Sequence, residues 1–480
     1  YHALDINTLT SLSETFPYSL TEGARAHLPT VASRVGGVPY LIEHGVHGLL
    51  FEAGDAQGLA RHLTALARDP ELRSRLGERL YQRAKADYSL ESTLERQLAI
   101  YQTILRRKAR NTGKRDGALV CGAYGRGNAG DDAILEAIVT ELRQIDPDLP
   151  VWVLSRTPEE TRRAYRVNSI YTFAFPRFLR RMTKTRLYIN GGGSLMQDVT
   201  SHRSLWFYLF TISAAKRLGN RVLMYGCGIG PIRVPRNRRK TGKVIDSSVD
   251  IITTRDSASI GELKALGVGR PQVVLAADPA VTLPAAPPQA ADALLEEIGL
   301  HPRKGERYLG VTVRPWPGFD EKVPAFAAAV DYAYQRYDLI PVFIPIEGKL
   351  DAAAAQKVAG QLQSAPAHLL TSAPTTELAI ALSARMDVAL SMRLHALIFA
   401  AVRGVPLVGV VYDPKVSAFL DDAGQDLYAQ LDQVTPELLR ALIDAAAQRR
   451  QDRKSLEEKT ARLVQLEREN SQAAAKLLAE

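Results

Sequence analysis

The chain has 480 residues, too many for a single hydrophobic core, so its length predicts two or three domains. Its balance of 46% hydrophobic and 24% charged residues is typical of globular proteins, and no apolar run is long enough to span a bilayer. Two cysteines are too few for a disulfide framework or a cysteine metal site and favour a reducing, cytoplasmic location. The first residues show neither a signal peptide nor a Met, so we expect the natural N-terminus to lie upstream.

The net charge of +9 comes largely from basic clusters at residues 106–115, 177–186 and 233–243. Clusters of this kind attract phosphates, anionic lipids or nucleic acid. Few aromatic residues accompany them and no nucleic-acid motif is present, so nucleic acid is not expected as a partner. The cluster at 106–115 favours a surface or linker, whereas the one at 233–243 follows glycines and favours a ligand or membrane role.

In chain order, we predict a segment over residues 1–107 that ends in a helix, and then a basic linker over 108–117. Residues 118–285 alternate short β-branched runs with helical stretches, and residues 286–480 repeat this alternation and end in a charged helical tail. The predicted strands are Ala118–Cys121, Val151–Leu154, Leu187–Ile189, Val222–Tyr225, Ile251–Thr253, Val273–Leu275, Leu309–Val313, Pro341–Ile344, Val388–Leu390 and Leu407–Val411. The alternation predicts an α/β fold, with two parallel-sheet, Rossmann-like domains that face each other across a cleft.

Glycines follow three strands of the first predicted domain. Gly125, Gly127 and Gly130 fit G-x-G-x-x-G before a helix over Ala133–Leu142, where Asp131 either binds a sugar hydroxyl or caps the helix. The next strand ends in Arg156 rather than an acidic residue, which disfavours NAD and at best suits NADP.

Further glycine turns are predicted at 190–195 and 226–231, and Gly191, Gly192 and Gly193 would let a ligand approach the backbone. All three turns fall on one edge of one sheet, which predicts a binding crevice there.

The run Ser391–His395 places Arg393 and His395 where a buried strand ends and a helix begins. A cation and an imidazole at such a strand end suit an anionic substrate and proton transfer. The alternative is a helix N-terminus whose polar residues satisfy backbone groups.

Residues 117–440 resemble the polysaccharide pyruvyl transferase family, and in particular its bacterial cell-surface polymer branch. The matching stretches are Tyr124–Gly125, Asn128–Ile134, Asn190–Asp198, Ser204–Tyr208, Gly228–Pro231, Arg255–Ser259, Ser391–His395 and Tyr412–Val416. The resemblance implies a GT-B-like fold and transfer of a pyruvyl group from phosphoenolpyruvate to a sugar as a ketal. It also implies that the acceptor is the N-acetylmannosamine unit of a lipid-linked cell-wall glycan precursor at the inner membrane face. The product would be a pyruvylated polymer to which surface-layer proteins bind.

The resemblance further places Arg393, Leu394 and His395 at the phosphoenolpyruvate site. We expect His395 to act as acid or base and Lys415 to neutralise phosphate or deliver a proton, with the two roles exchangeable. Arg233 and Arg314 are further candidate anion ligands, the alternative being surface ion pairs. Asn128, Asp131 and Gly191–Gly193 are candidate substrate-binding residues, and neither a metal nor a cofactor beyond the co-substrate phosphoenolpyruvate is expected.

The first segment resembles retaining glycosyltransferases of family 4. Glu14 and Glu22 fit their E-x7-E pattern, and Gly36–Pro39 fits G-G-x-P, although Tyr40 stands where these enzymes often carry Glu. The upstream half of such an enzyme is missing, so we expect a remnant or truncated end of a fused glycosyltransferase without sugar-nucleotide transfer. The rival interpretations are an active nucleotide-sugar-dependent glycosyltransferase, an NADP-dependent oxidoreductase and a non-catalytic membrane-binding module.

Overall fold

The computed structural model describes residues 1–110, 115–199, 201–302 and 305–480, without the side chains of residues 107, 109 and 110. It divides into two compact units, residues 1–112 and 113–480. The last helix of the first unit continues to Arg110, through the start of the predicted linker. The middle of that linker, 111–114, lies outside the described residues.

The first unit is a small parallel sheet in the strand order β1-β2-β3, covered by helices. Its elements are β1 (Asn7–Leu9), α1 (Tyr18–Arg25), β2 (Thr30–Ser33), α2 (Val38–Leu41), β3 (Leu49–Phe51), α3 (Ala56–Arg68), α4 (Pro70–Tyr88) and α5 (Leu90–Arg110). Asp55 and Asp69 begin α3 and α4 by accepting backbone N–H bonds at the free helix start. The central strand β2 is buried between α1, α4 and α3.

The second unit begins with a parallel sheet in the order β10-β9-β8-β7-β4-β5-β6. Its elements are β4 (Ala118–Cys121), α6 (Ala129–Ile145), β5 (Val151–Ser155), α7 (Pro158–Tyr165), β6 (Asn168–Tyr171), α8 (Phe175–Met182), β7 (Leu187–Met196), α9 (His202–Arg217), β8 (Arg221–Ile229), α10 (Pro235–Ser248), β9 (Ile251–Thr254), α11 (Ser257–Ala265) and β10 (Gln272–Leu275). The sheet is buried between helices on both faces, which explains its continuous apolar strands.

The predicted glycine turns after β7 and β8 are wrong in one respect, because both strands continue through their glycines. β7 runs on to Met196 and β8 to Ile229, with shifts in register after Gly193 and after Met224. Positive φ angles at Gly192, Gly193 and Gly226 bend the strands without ending them.

A short 3₁₀ turn, Pro279–Thr282, leads into the second domain, whose parallel sheet has the order β13-β12-β11-β14-β15-β16. Its elements are α12 (Pro288–Glu297), β11 (Arg307–Thr312), α13 (Phe319–Tyr337), β12 (Leu339–Phe343), α14 (Gly348–Ala359), β13 (His368–Leu369), α15 (Thr376–Arg385), β14 (Val388–Ser391), α16 (Leu394–Ala401), β15 (Leu407–Val411), α17 (Pro414–Asp422), β16 (Tyr428–Gln430), α18 (Pro436–Gln448) and α19 (Arg453–Ala479). Short 3₁₀ turns follow β16 and α18.

The last helix, α19, returns from the second domain to the first. Ala473, Ala474 and Leu477 are buried in the apolar cluster formed with β4 and α6. Asn470 donates from Nδ2 to the carbonyl of Ala277 at 3.0 Å, and Arg186 donates to the carbonyl of Leu478 at 2.6 Å. The helical tail, which the sequence prediction assigned to the domain at 286–480, therefore also packs against the first domain.

Of the helices in the described part of the chain, none combines the length and the apolar character that crossing a bilayer requires.

Candidate functional site

A cavity of about 230 Å³ lies between the two sheets of the second unit, at the carboxyl ends of their strands. We call it the interdomain pocket. Among its lining residues, the first domain contributes Arg126, Asn128, Asp131, Gly193, Ser194, Tyr208 and Arg255, and the second contributes Arg314, Glu347, Arg393, Leu394, His395, Tyr412 and Lys415. Parallel sheets present their strand ends at one edge, which explains why residues distant in sequence meet here.

The start of α6 forms one wall of the pocket and joins the domains. Asn128 caps the helix, because its Oδ1 accepts from the N–H groups of Gly130 at 2.9 Å and of Asp131 at 3.4 Å. The N–H of Ala129, the residue after Asn128, donates to the carbonyl of Ile346 in the second domain at 2.9 Å. The helix thus starts four residues before the predicted Ala133, and Asn128 takes the capping role considered for Asp131.

Asp131 points into the pocket beside the glycines of β7. A β-carbon added at Gly193 would lie 3.6 Å from Oδ1 of Asp131. Burial, with the Asp132 and Glu347 carboxylates adding to it, raises the pKa of Asp131 to about 7. The carboxyl therefore holds a proton for part of the time at neutral pH.

His395 stands in the first turn of α16 at the domain boundary, and 14% of its side chain is exposed. Its Nε2 lies 3.7 Å from Oδ2 of Asp278 and has no hydrogen-bond partner in the described residues. Burial lowers the pKa of His395 to about 4, an effect that the Asp278 carboxylate opposes and the nearby cations strengthen. The imidazole is therefore neutral at pH 7 and able to accept a proton.

Arg255, which follows β9, forms hydrogen bonds with both Asp278 and Ser194. It donates from Nη1 to Oδ2 of Asp278 at 2.9 Å and from Nη2 to Oγ of Ser194 at 2.9 Å. The same Asp278 oxygen thus faces both Arg255 and His395. Asp278 is in turn held by the N–H of Ala280, to which its Oδ1 is the acceptor at 3.1 Å.

Arg393 reaches the pocket, but carboxylates already hold its guanidinium. Its Nε donates to Oδ2 of Asp351 at 2.9 Å, and its Nη2 donates to Oδ1 of Asp351 and to Oε2 of Glu347, both at 2.5 Å. Asp351 is fixed as well, because its Oδ2 accepts from the N–H groups of Ile346 and Glu347. The positive charge of Arg393, which we predicted to bind substrate, is therefore largely balanced by Asp351 and Glu347.

The cations with fewer acidic partners are Arg126, Arg314 and Lys415. Within the described residues, neither arginine forms an ion pair, and Lys415 meets Asp413 at 3.8 Å. Arg314 donates to Oη of Tyr412 at 2.9 Å, and Nζ of Lys415 lies 5.4 Å from the centre of that ring. Burial raises the pKa of Tyr412, but Lys415, Arg314 and Arg393 together outweigh it and lower the pKa below its ordinary value.

Three of the predicted site residues do not line the pocket. The Arg233 side chain is exposed, and its backbone N–H donates to Oδ1 of Asp198 at 2.7 Å. A β-carbon at Gly191 would lie 2.3 Å from Oη of Tyr124, and one at Gly192 would lie 2.2 Å from Cγ2 of Ile134. These two glycines serve close packing, whereas Gly193 does line the pocket. The structure brings together Asn128, Asp131, Gly193, Arg314, Arg393, Leu394, His395 and Lys415.

The residues that the sequence interpretation missed are Arg126, Arg255, Glu347 and Tyr412. Arg255 and Tyr412 each follow the last residue of a parallel strand, β9 and β15, which is the same signal that identified Arg314. Arg126 lies inside the first glycine turn. Glu347 immediately precedes α14, a helix that the sequence pattern did not resolve.

The first unit has a separate cavity of about 640 Å³. Its lining includes Glu22 of the E-x7-E pattern together with Arg25, His27 and Lys85. Glu14, the other glutamate of the pattern, accepts from Oγ of Ser11 at 2.7 Å and is not part of the lining.

Two family models match the chain. The model described as polysaccharide pyruvyl transferase matches residues 128–414, and the model described as glycosyl transferases group 1 matches residues 1–83. The first match spans both domains of the interdomain pocket, and the second lies within the first unit.

Curated relatives match about a fifth of the chain. The N-acetyl-alpha-D-glucosaminyl L-malate synthase of Bacillus anthracis is 34% identical over 102 residues, which are 21% of this chain and 27% of that protein. The D-inositol 3-phosphate glycosyltransferase of Thermobifida fusca (strain YX) is 33% identical over 105 residues, 22% of this chain and 24% of that protein. The chain thus spans about a quarter of the length of these relatives.

Solved structures show the same fold at low identity. Anabaena Alr3699/HepE in complex with UDP-glucose is 10% identical, with a TM-score of 0.52, and covers 75% of this chain and 99% of that one. The same protein in complex with UDP is 11% identical, with a TM-score of 0.51, over 76% and 99%. The predicted GT-B-like arrangement of paired parallel-sheet domains is confirmed.

Proposed function

The chain belongs to the polysaccharide pyruvyl transferase family, and we propose that it transfers the pyruvyl group of phosphoenolpyruvate to a sugar as a cyclic ketal. The observation that carries this proposal is the interdomain pocket itself. Within the described residues, its cations Arg126 and Arg314 form no ion pair and Lys415 has only the 3.8 Å contact to Asp413. All three line the pocket with the neutral imidazole of His395.

Phosphoenolpyruvate carries a phosphate and a carboxylate, and each needs a fixed cation. Arg314 suits the planar carboxylate, because a guanidinium can donate two parallel hydrogen bonds to it. Lys415 suits the phosphate as a point charge and would neutralise the phosphate as it departs. Arg393 acts by holding Glu347 and Asp351 in place at the pocket wall and leaves the anion to the less paired cations.

The reaction requires two carbon–oxygen bonds to form and one to break. The methylene carbon of phosphoenolpyruvate takes a proton, and a sugar hydroxyl attacks the resulting cationic carbon and gives up its own proton. The bond from that carbon to the phosphate oxygen then breaks, a second hydroxyl attacks, and its proton leaves. One hydroxyl proton balances the proton placed on the methylene carbon, and the other leaves with the phosphate.

The pKa values divide the proton transfers between two residues. Neutral His395 is suited to take the proton of the attacking hydroxyl. Asp131, with its raised pKa, is suited to supply the proton for the methylene carbon, while Lys415 stays charged for the phosphate. This assignment keeps His395 as the base and Lys415 as the phosphate ligand. It gives proton delivery to Asp131, which the sequence interpretation considered only for substrate binding or helix capping.

For the acceptor, we propose the N-acetylmannosamine unit of a lipid-linked glycan precursor at the inner face of the cell membrane, in a cytoplasmic enzyme. The resemblance of residues 117–440 to the cell-surface polymer branch supports this choice.

The direct experiment incubates the protein with phosphoenolpyruvate and a lipid-linked disaccharide that ends in N-acetylmannosamine. We expect acceptor-dependent phosphate release and an acceptor mass increased by one pyruvyl ketal. His395→Gln is the loss-of-function control, and Arg440→Gln, an exposed arginine on α18, is the matched neutral control. Phosphate release without a change in acceptor mass, or equal turnover in His395→Gln, would reject the proposal.

A second candidate concerns the first unit, whose match to glycosyl transferases group 1 and whose cavity beside Glu22 favour nucleotide-sugar binding. Calorimetric titration with UDP-sugars tests it. We expect binding that is weakened in Glu22→Gln if this candidate is correct, and no heat of binding if it is not. Glu71→Gln, at an exposed position outside the cavity lining, is the control and should leave binding unchanged.

A further inference from the structure

A second cavity opens beside the interdomain pocket and belongs to the first domain alone. It has a volume of about 570 Å³ and is lined by residues from the ends of β4, β5 and β6 and from the start of α9. Arg126, Ser204 and Tyr208 line both cavities, so the two share a wall. We call this cavity the arginine pocket.

The arginine pocket is positively charged without compensation. Arg126, Arg156 and Arg203 line it, no acidic side chain does, and none of the three forms an ion pair within the described part of the chain. Arg156 is held in place, because its guanidinium lies 4.1 Å from the centre of the Phe173 ring and its N–H donates to the carbonyl of Tyr124 at 3.1 Å. Guanidinium groups gathered without carboxylates suit a phosphate or diphosphate.

Aromatic rings form the rest of the wall. Phe173 and Phe207 meet edge to face with their centres 5.8 Å apart, and Phe207 meets Tyr208 in the same way at 5.3 Å. Flat apolar surfaces of this kind bind the C–H faces of sugar rings, while the hydroxyls of Ser201 and Ser204 can hydrogen-bond the sugar.

Outside the opening, the aromatic surface continues into solvent. Tyr171, Phe175 and Phe210 are 45%, 38% and 43% exposed, and Phe175 contacts Phe173 and Phe210 with ring centres 6.4 and 5.8 Å apart. A contiguous exposed patch of large rings marks a surface that is covered by an apolar partner when the protein works. We call Tyr171, Phe175 and Phe210 the aromatic rim.

We infer that the arginine pocket binds a glycosyl phosphate or diphosphate that carries an apolar aglycone. The phosphate lies on Arg156 and Arg203, the sugar extends past Tyr208 and Ser204 toward the interdomain pocket, and the aglycone covers the aromatic rim. This inference rests on the proposed function, since it gives the sugar acceptor its route to the pyruvyl donor.

The same phosphate chemistry could come from a free sugar phosphate, a nucleotide sugar or a lipid-type ester, and the aromatic rim favours the last. Calorimetry compares three probes: an N-acetylhexosamine 1-phosphate, its decyl phosphodiester and UDP-N-acetylhexosamine. We expect the decyl ester to bind at least tenfold more tightly than the other two. Equal or tighter binding of the nucleotide sugar would overturn the assignment of the rim.

Two sets of variants locate the ligand. Arg156→Gln with Arg203→Gln should weaken binding of the decyl ester at least tenfold, whereas Arg462→Gln with Arg468→Gln, on exposed positions of α19, should not. Phe175→Ser with Phe210→Ser should remove the advantage of the decyl chain, and Val464→Ser, at an equally exposed apolar position, should keep it. Wild-type affinity for the decyl ester in the first double variant would overturn the inference. Arg156→Lys with Arg203→Lys shows whether positive charge alone is enough to bind the phosphate.

Kinetics separate this inference from the proposed function. The glutamine double variant should raise KM for the acceptor and leave KM for phosphoenolpyruvate unchanged, because neither arginine lines the interdomain pocket. A wild-type protein that binds the decyl ester but never releases phosphate from phosphoenolpyruvate would reject the proposed function alone. Wild-type acceptor KM in the double variant, with turnover intact, would reject the arginine pocket alone.

Discussion

Gly130 in the first domain lies directly against His395 in the second, so that a β-carbon added to Gly130 would stand 2.0 Å from Nδ1 of the imidazole. The glycine that completes G-x-G-x-x-G therefore makes room for a side chain of the other domain. The same contact fixes which ring nitrogen faces the helix and leaves Nε2 toward Asp278.

The first prediction is that Gly130→Ala lowers kcat at least tenfold with little change in melting temperature. Alanine favours the helix by about 1 kcal/mol, but its methyl group must displace the imidazole of His395. Gly261→Ala on α11 is the matched control, because a β-carbon there meets nothing within 4 Å. Equal turnover in both variants would contradict the assignment of His395.

The second prediction concerns pH. If Asp131 is the acid, kcat/KM should fall about tenfold per pH unit above about pH 7, where this carboxyl loses its proton, while neutral His395 remains active down to about pH 4. Asp131→Asn should lower kcat/KM and remove the alkaline fall. The phosphate of the substrate titrates near pH 6, so both proteins are measured across pH 5–9 and the difference between the profiles is the readout. An unchanged profile in Asp131→Asn would assign the proton to another group.

The third prediction separates the anion ligands. Arg314→Gln should raise KM for phosphoenolpyruvate roughly 10- to 100-fold, since a charge-assisted hydrogen bond contributes about 1.5–3 kcal/mol. Lys415→Gln should act mainly on kcat, because its charge is needed most when the phosphate leaves. Initial-rate kinetics with varied phosphoenolpyruvate measure both effects. The assignments are exchanged if Arg314→Gln alters kcat alone and Lys415→Gln alters KM alone.

The paired parallel-sheet fold and most strands could be predicted from the sequence, because apolar runs between helical stretches are a local signal. Strand ends also led to Arg314, Arg393 and His395. The course of β7 and β8 through their glycines could not be predicted, since a glycine with positive φ marks a bend as readily as an end.

Whether a predicted side chain is paired, free or exposed depends on residues that are distant in sequence. Arg393 is 42 residues from Asp351, which binds it, and His395 meets Asp278 across the domain boundary. Only the fold shows that Arg393 is already paired with carboxylates and that Arg314, within the described part of the chain, forms no ion pair. Likewise, Arg233 follows a strand as Arg314 does, yet its side chain is exposed outside the pocket.

The fourth prediction follows from the pairing of Arg393. Arg393→Met should lower the free energy of unfolding by about 3 kcal/mol as well as turnover, because Asp351 and Glu347 lose their common cation. Arg393→Met with Asp351→Ala should recover part of that stability, since one unpaired carboxylate is removed. Urea unfolding measures the difference. Lost turnover with an unchanged unfolding midpoint in Arg393→Met would show instead that the guanidinium acts on substrate alone.

The fifth prediction concerns Glu467, a buried residue of α19 whose Oε1 has no hydrogen-bond partner in the described residues. Burial, with Glu141 adding to it, raises the pKa of Glu467 to about 7, so the folded protein binds this proton more tightly than the unfolded chain. The resulting stability is complete below the unfolded pKa of about 4.3 and is lost as the pH rises through 7.

Glutamine keeps the shape of the protonated carboxyl and cannot ionise. Glu467→Gln should therefore raise the free energy of unfolding at pH 8 by on the order of 2–3 kcal/mol and change it little at pH 4. Glu458→Gln, an exposed position on the same helix, is the control and should change stability at neither pH. Thermal unfolding at both pH values measures the gain. A gain of equal size at pH 4 and pH 8 would mean that the effect comes from packing and not from the charge of Glu467.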